Sequence, residues 1–168
     1  MFAAGGGAIN SNKHNRAPKP RLKSANNDTG PSGSLLRVLV VEDYEPFSRY
    51  VCSTLGKRPG LQVVCEVSDG LDAIQKAEEL LPDLVVLDVG LPTLNGIEAA
   101  RRIRKLSPKS KLLFLSQESS ADIVQQAFSS GAMGYVVKLH AESELLVAVE
   151  AVLRGEKFIS PTLADFAC

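Results

Sequence analysis

Five short apolar runs alternate with five segments of helical spacing between Leu35 and Gly155, and this alternation restricts the fold more than any other feature. The apolar runs occupy residues 35–41, 61–67, 83–88, 111–116 and 134–138. The helical segments occupy residues 46–55, 68–81, 96–106, 121–132 and 142–155. Strict alternation of strand and helix predicts right-handed crossovers and a parallel sheet covered by helices on both faces. We therefore predict a doubly wound α/β fold with a five-stranded parallel sheet and five helices.

The composition indicates one globular domain preceded by a segment of different character. Hydrophobic residues make up 45% of the 168 residues and charged residues 23%, which is typical of a packed domain. Residues 1–34 are rich in Asn, Pro, Gly, Ser and Lys, so they cannot bury enough apolar surface to offset the entropy lost on ordering. We predict a disordered basic leader at 1–34, a folded domain at 35–156 and a C-terminal tail or linker remnant at 157–168.

The charge distribution and the hydropathy pattern argue against several classes of protein. Five basic residues and one acidic residue before Leu35 give +4 there, and the formal net charge of zero leaves −4 for the remainder. Neither value indicates nucleic-acid binding by itself. No apolar run approaches the roughly 18 residues needed to span a bilayer. We expect a cytoplasmic protein outside the membrane, whose cysteines Cys52, Cys65 and Cys168 are free thiols.

Polar side chains follow four of the predicted strands, at the point where each strand ends. Glu42 and Asp43 follow the first strand, Asp88 ends the third, Ser116 the fourth and Lys138 the fifth. Because ligands of open α/β sheets bind beyond the carboxyl ends of the strands, we expect these residues to converge. Neighbouring carboxylates repel one another, and Mg²⁺ with oxygen ligands relieves that repulsion. A lysine and a hydroxyl beside such a cluster suit a phosphoryl group.

Four motifs carry a resemblance to a known family. They are VVEDYEP, VVLDVGLPTLNGIEA, LFLSQES and GYVVKL, in this order along residues 36–155. A chain with these motifs resembles the response-regulator receiver domain of two-component signalling, which has a flavodoxin-like fold. It looks most like receivers that carry a C-terminal helix-turn-helix domain. Only 13 residues follow Gly155, so we expect that output domain to be absent and this chain not to bind specific DNA.

The resemblance implies a phosphoacceptor and a magnesium site. Asp88 corresponds to the aspartate that accepts a phosphoryl group from a sensor histidine kinase, a phosphotransfer protein or a small phosphodonor. Glu42 and Asp43 correspond to the acidic pair that holds Mg²⁺ together with Asp88, and the backbone carbonyl of Gly90 corresponds to a further ligand. The chain is not expected to be an enzyme beyond catalysing its own phosphorylation and dephosphorylation.

The resemblance also implies a switch. Ser116 corresponds to the hydroxyl residue that bonds a phosphoryl oxygen, and Lys138 to the lysine that neutralises its charge. Tyr135 corresponds to the aromatic switch, which we expect to rotate inward when Ser116 moves toward the phosphoryl group. The face of helix four, strand five and helix five would then change shape, and we expect it to bind a partner or a second copy of the chain.

Two positions depart from the family pattern, and several alternatives stay open. Gln117 follows Ser116 where a small residue is frequent, and Leu139 follows Lys138 where proline is frequent. Glu42 or Asp43 could cap the next helix, alone or besides binding metal, and Tyr135 could be an ordinary half-buried aromatic. A flavodoxin-like FMN protein, a haloacid-dehalogenase-type phosphatase and a receiver-like interaction module without phosphorylation are the competing functions.

Overall fold

The computed structural model describes residues 33–166, which form a sheet between two layers of helices. The strands are β1 Leu36–Val41, β2 Leu61–Val67, β3 Leu84–Leu87, β4 Lys111–Ser116, β5 Gly134–Val137 and β6 Phe158–Ile159. The helices are α1 Glu45–Gly56, α2 Gly70–Leu80, α3 Gly96–Leu106, α4 Ala121–Ser129 and α5 Ala141–Leu153. One short 3-10 helix, Lys138–His140, lies between β5 and α5, and a second, Pro161–Phe166, follows β6. The predicted leader lies outside the described residues except for its last two positions, and Cys168 lies outside them too.

The sheet has the order β2-β1-β3-β4-β5-β6, and every neighbouring pair is parallel. This confirms the predicted doubly wound α/β fold with five parallel strands and five helices. The sixth strand, Phe158–Ile159, is an addition that the sequence interpretation did not include. It lies in the segment predicted as a C-terminal tail or linker remnant, and two residues are too few to show a strand period.

Each central strand buries side chains on both of its faces. Leu39 and Val41 of β1 belong to the cluster packed against α2, α3 and α4, whereas Val38 and Val40 belong to the cluster packed against α1 and α5. This follows from the two-residue period of a strand. Full burial of one such side chain contributes about 1.5–3 kcal/mol, so the two clusters hold the carboxyl ends of the strands at fixed positions.

Among residues 33–166, no helix is both long enough and apolar enough to cross a membrane.

Candidate functional site

The carboxyl ends of β1, β3, β4 and β5 open onto one cleft. Six of the seven residues predicted from the sequence line this cleft: Glu42, Asp43, Asp88, Gly90, Ser116 and Lys138. The seventh, Tyr135, lies beneath it in the core. The convergence follows from the parallel sheet, because parallel strands present their carboxyl ends at the same edge.

Lys138 is the centre of the polar contacts in the cleft. Its Nζ lies 2.7 Å from Oδ2 of Asp88 and 2.6 Å from Oε2 of Glu42. The same Nζ lies 4.7 Å from the centroid of the Phe47 ring, within the range of a cation–π contact. The Lys138 side chain is only 11% exposed, so two carboxylates and an aromatic face replace most of its water.

One ammonium group contacts two buried carboxylates, and burial together with these contacts shifts the pKa of Glu42 and of Lys138. Burial raises the pKa of Glu42, because it outweighs the opposing hydrogen bonds from Lys138 and the amide of Tyr44. Burial lowers the pKa of Lys138, but its hydrogen bonds to Asp88 and Glu42 together outweigh burial and leave that pKa raised. Lys138 therefore stays protonated at neutral pH.

Asp88 is held by its own backbone and by two side-chain contacts. Its amide donates to the carbonyl of Val41 over 3.1 Å, which extends the pairing of β1 with β3 by one residue. Its Oδ2 pairs with Lys138, and its Oδ1 accepts only a long hydrogen bond of 3.3 Å from the amide of Gly90. The residue is 7% exposed. Oδ1 is therefore the less engaged oxygen of a carboxylate that has a fixed orientation.

Three carboxylates form a set that fits a divalent cation. Glu42, Asp43 and Asp88 each offer one oxygen, and these oxygens lie within 4.8 Å of one another. A few carboxylate oxygens, with water completing the coordination, are what Mg²⁺ prefers in proteins. Gly90 lies on the rim of the same cleft. The residues present thus fit the predicted cation.

The alternative role of the acidic pair as a helix cap is wrong. The residue that caps α1 is Tyr44, and its side chain makes no capping hydrogen bond. Glu42 Oε1 accepts a 3.0 Å hydrogen bond from the amide of Tyr44, outside the helix itself. The acidic pair faces the cleft because the chain turns between β1 and α1.

Ser116 and Tyr135 are joined through the loop that follows β4. Ser116 Oγ accepts a 3.3 Å hydrogen bond from the amide of Glu118, and the Tyr135 hydroxyl donates over 2.6 Å to the carbonyl of the same Glu118. Tyr135 is 0% exposed, and burial raises its pKa to about 12. The ring is therefore fully buried rather than half-buried, and it points inward in this structure. The rotation of Tyr135 on phosphorylation stays a prediction.

Two residues that shape the site were missed in the sequence. The first is Phe47, whose contact with Lys138 joins side chains 91 positions apart and leaves no local signal. The second is Gly96 at the start of α3. Its amide donates to the carbonyl of Val89 over 2.8 Å, and a Cβ there would lie 1.8 Å from the carbonyl oxygen of Asp88. Gly96 is the glycine that ends the motif LPTLNG. This glycine was the sequence signal for a close approach of the backbone.

We predict that Gly96→Ala lowers the free energy of unfolding by about 2–4 kcal/mol, because the new methyl group clashes with backbone that has little room to move. Gly56→Ala is the matched control, since a Cβ there meets nothing within 4 Å; it should change stability by about 1 kcal/mol or less. Urea denaturation measures both. Equal stability of the two variants would contradict the close approach of α3 to Asp88.

Comparison with known proteins identifies the family. Residues 38–150 match the family model described as "Response regulator receiver domain". The chain belongs to this receiver family. The receiver is 35% identical over 132 residues to the transcriptional activator protein ExaE of Pseudomonas putida, covering 78% of this chain and 62% of ExaE. It is 32% identical over 131 residues to the response regulator GacA of Pseudomonas viridiflava, covering 78% of this chain and 61% of GacA.

A solved structure resembles the receiver as well. The crystal structure of a two-component response regulator of the LuxR family from Aurantimonas sp. SI85-9A1 gives a TM-score of 0.75 at 35% identity, covering 79% of this chain and 94% of that one. The chain spans less than two thirds of the length of ExaE and GacA. It is a response-regulator receiver of two-component signalling, and the three competing functions are not favoured.

Proposed function

We propose that Asp88 accepts a phosphoryl group from a phosphohistidine of a sensor histidine kinase or phosphotransfer protein, or from a small phosphodonor. The observation that carries the proposal is the position of the Asp88 carboxylate. It lies in the cleft at the end of β3, 2.7 Å from the ammonium group of Lys138 and beside two further carboxylates. Family membership supports the same role, because receivers are the phosphoacceptors of two-component systems.

The transfer requires alignment and charge neutralisation rather than an additional nucleophile. A carboxylate oxygen of Asp88 forms a bond to phosphorus, and the bond from phosphorus to the donor nitrogen breaks. The electron pair stays with the departing imidazole. The less engaged Oδ1 suits the attacking role, since Lys138 holds Oδ2. Lys138 and the hydroxyl of Ser116 then stabilise the phosphoryl oxygens.

The carboxylates of Glu42, Asp43 and Asp88, with the backbone carbonyl of Gly90, would hold Mg²⁺. When bound, this cation supplies positive charge that offsets the charge of the phosphoryl oxygens. Asp43 is the exposed member of the set, whereas Glu42 and Asp88 are buried. Asp43 is therefore the ligand whose removal should disturb the fold least.

We predict that Asp43→Ala weakens Mg²⁺ binding by about tenfold or more, because it removes one of three carboxylates. Phosphorylation by acetyl phosphate should fall in parallel. The control is Asp72→Ala, which removes an exposed carboxylate in the first turn of α2. Calorimetric titration with MgCl₂ measures the affinity. Unchanged affinity in Asp43→Ala would exclude Asp43 as a ligand, and loss of folding would mean that it is structural.

Incubation with acetyl phosphate tests the function as a whole. One phosphoryl group per chain should appear as an acyl phosphate that is labile to acid and base and that hydroxylamine removes. Chelation of divalent cations with EDTA should prevent the labelling. A chain that folds and binds Mg²⁺ but takes up no phosphoryl group from either acetyl phosphate or a phosphorylated kinase would contradict the proposal. It would favour the interaction module instead.

The wider expectations belong to the same proposal. The chain catalyses only its own phosphorylation and dephosphorylation, acts in the cytoplasm and exchanges phosphoryl groups with a histidine kinase or a phosphotransfer protein. Its output is a contact with a protein partner or a second copy through the face of α4, β5 and α5. We propose no sequence-specific DNA contact for residues 33–166.

A further inference from the structure

The outer edge of β5 is covered by residues 158–166, which we call the C-terminal segment. Phe158 and Ile159 pair with Gly134 and Tyr135 in the parallel sheet. The amide of Phe158 donates to the carbonyl of Met133 over 3.0 Å, and the amide of Ser160 donates to the carbonyl of Tyr135 over 2.9 Å. In a sheet of only the five predicted strands, β5 would be an unpaired edge strand. Here the outer side of β5 forms backbone hydrogen bonds with the C-terminal segment.

Ser160 continues this contact after the strand pairing ends. Its Oγ accepts a 2.9 Å hydrogen bond from the amide of Val137, and the hydroxyl in turn donates to a carboxylate oxygen of Glu144 on α5. Ser160 is 0% exposed. A single buried hydroxyl thus joins the C-terminal segment to β5 and to α5. Its contact on β5, the amide of Val137, directly precedes Lys138 of the cleft.

Leu163 attaches the segment to the other side of β5. It is 3% exposed, and it belongs to the same core cluster as Tyr135 and as Val124 and Ala127 of α4. The amide of Leu163 donates to the carbonyl of Ser160 over 2.8 Å, which closes the turn between them. The segment therefore completes the apolar surroundings in which the Tyr135 ring is buried.

We propose that the C-terminal segment is a releasable cap, bound within the same chain, that occupies the edge of β5 and keeps Tyr135 buried. The binding surface is the edge of β5 with its flanks on α4 and α5, and its ligand is residues 158–166. When the cap is released, the edge of β5 becomes open to pairing, as free edge strands are. This cap is independent of whether Asp88 is the phosphoacceptor.

The cap also covers part of the surface that is expected to bind a partner. The face of α4, β5 and α5 was predicted to bind a partner or a second copy, and the outer edge of its only strand is already occupied within the described chain. Two of the four hydrogen bonds that hold the cap involve backbone groups of Tyr135 and Val137. Any movement of β5 that follows a change at Lys138 therefore acts directly on the cap.

The cap is tested in the full chain with Ser160→Ala. Thr162→Ala is the matched control, because it removes an exposed hydroxyl from the same segment. The three tyrosines are labelled with fluorotyrosine, and the solvent isotope shift of each fluorine signal reports exposure of its ring. In Ser160→Ala, the Tyr135 signal should gain an isotope shift approaching that of Tyr44, which is 63% exposed in the structure.

Amide hydrogen exchange provides the second readout. The amide of Val137 should exchange about tenfold faster or more in Ser160→Ala than in Thr162→Ala, while Val40 in the centre of the sheet should keep its rate. Unchanged exchange of Val137 together with a shielded Tyr135 would overturn the proposal.

If Ser160→Ala fails to fold, amide hydrogen exchange in the wild-type chain provides the test. The amides of Val137 and Ser160 should then open together, in one local event, at lower urea concentrations than Val40. Opening of all three amides only on global unfolding would overturn the proposal, because a cap that leaves only with the whole fold is not releasable.

Discussion

Asp88→Asn is expected to abolish phosphoryl transfer to the receiver, which is the largest effect of any single substitution that we predict. The carboxamide is a poor nucleophile at physiological pH, and it also loses the negative charge that pairs with Lys138. The shape of the side chain is kept, so the fold should survive. Labelling by acetyl phosphate in the presence of Mg²⁺ should fall to background, measured by phosphate-affinity electrophoresis and by the mass of the intact chain.

Asp83→Asn provides the matched control for this prediction. Asp83 precedes the same strand at its opposite end, where its Oδ2 accepts a 2.8 Å hydrogen bond from the amide of Arg37. Its substitution should leave labelling intact. If Asp88→Asn is labelled as fully as Asp83→Asn, the phosphoryl group resides elsewhere and the assignment of Asp88 is wrong.

Lys138→Met is expected to cause the largest loss of stability. It leaves the carboxylates of Glu42 and Asp88 without their shared cation, and these side chains are only 4% and 10% exposed. Removing one partner of a buried ion pair lowers the free energy of unfolding by about 3–5 kcal/mol. Mg²⁺ should recover part of this loss, because the proposed cation would bind the folded carboxylates in place of the ammonium group. Urea denaturation with and without Mg²⁺ measures both effects.

Two further variants define the cause of this loss. Lys111→Met removes a lysine whose Nζ donates only to the carbonyl of Leu153, and it should cost much less stability than Lys138→Met. Adding Glu42→Gln to Lys138→Met should recover part of the lost stability, since one of the two unpaired charges disappears. A double variant as unstable as Lys138→Met alone would show that packing of the lysine stem, and not its charge, supports the fold.

The sequence was sufficient to predict the fold and the convergence of six site residues. Strand and helix periods are local properties of the chain, so the alternation was readable without any tertiary information. Once the sheet is parallel, the positions of Asp88 and Lys138 follow from their place at the ends of strands. The separation of 50 residues between them did not matter, because the sheet topology brings them together.

The features that were missed depend on packing. The contact of Phe47 with Lys138 joins an aromatic ring and a cation from distant elements, and neither residue marks the other in the sequence. The inward position of Tyr135 is a choice of side-chain conformation, which the residue type alone leaves open. The strand Phe158–Ile159 exists because β5 offers an unpaired edge, and a two-residue strand has no period of its own.

The ammonium group of Lys138 has another consequence. It carries three N–H bonds, and two of them already have carboxylate acceptors on Asp88 and Glu42, while the ring of Phe47 lies close by. Under the proposal that Asp88 is the phosphoacceptor, a phosphoryl oxygen there would compete with Glu42 for the same donor. Phosphorylation would then be an exchange of partners at Lys138, and Glu42, which accepts from the amide of Tyr44, is the carboxylate expected to give way.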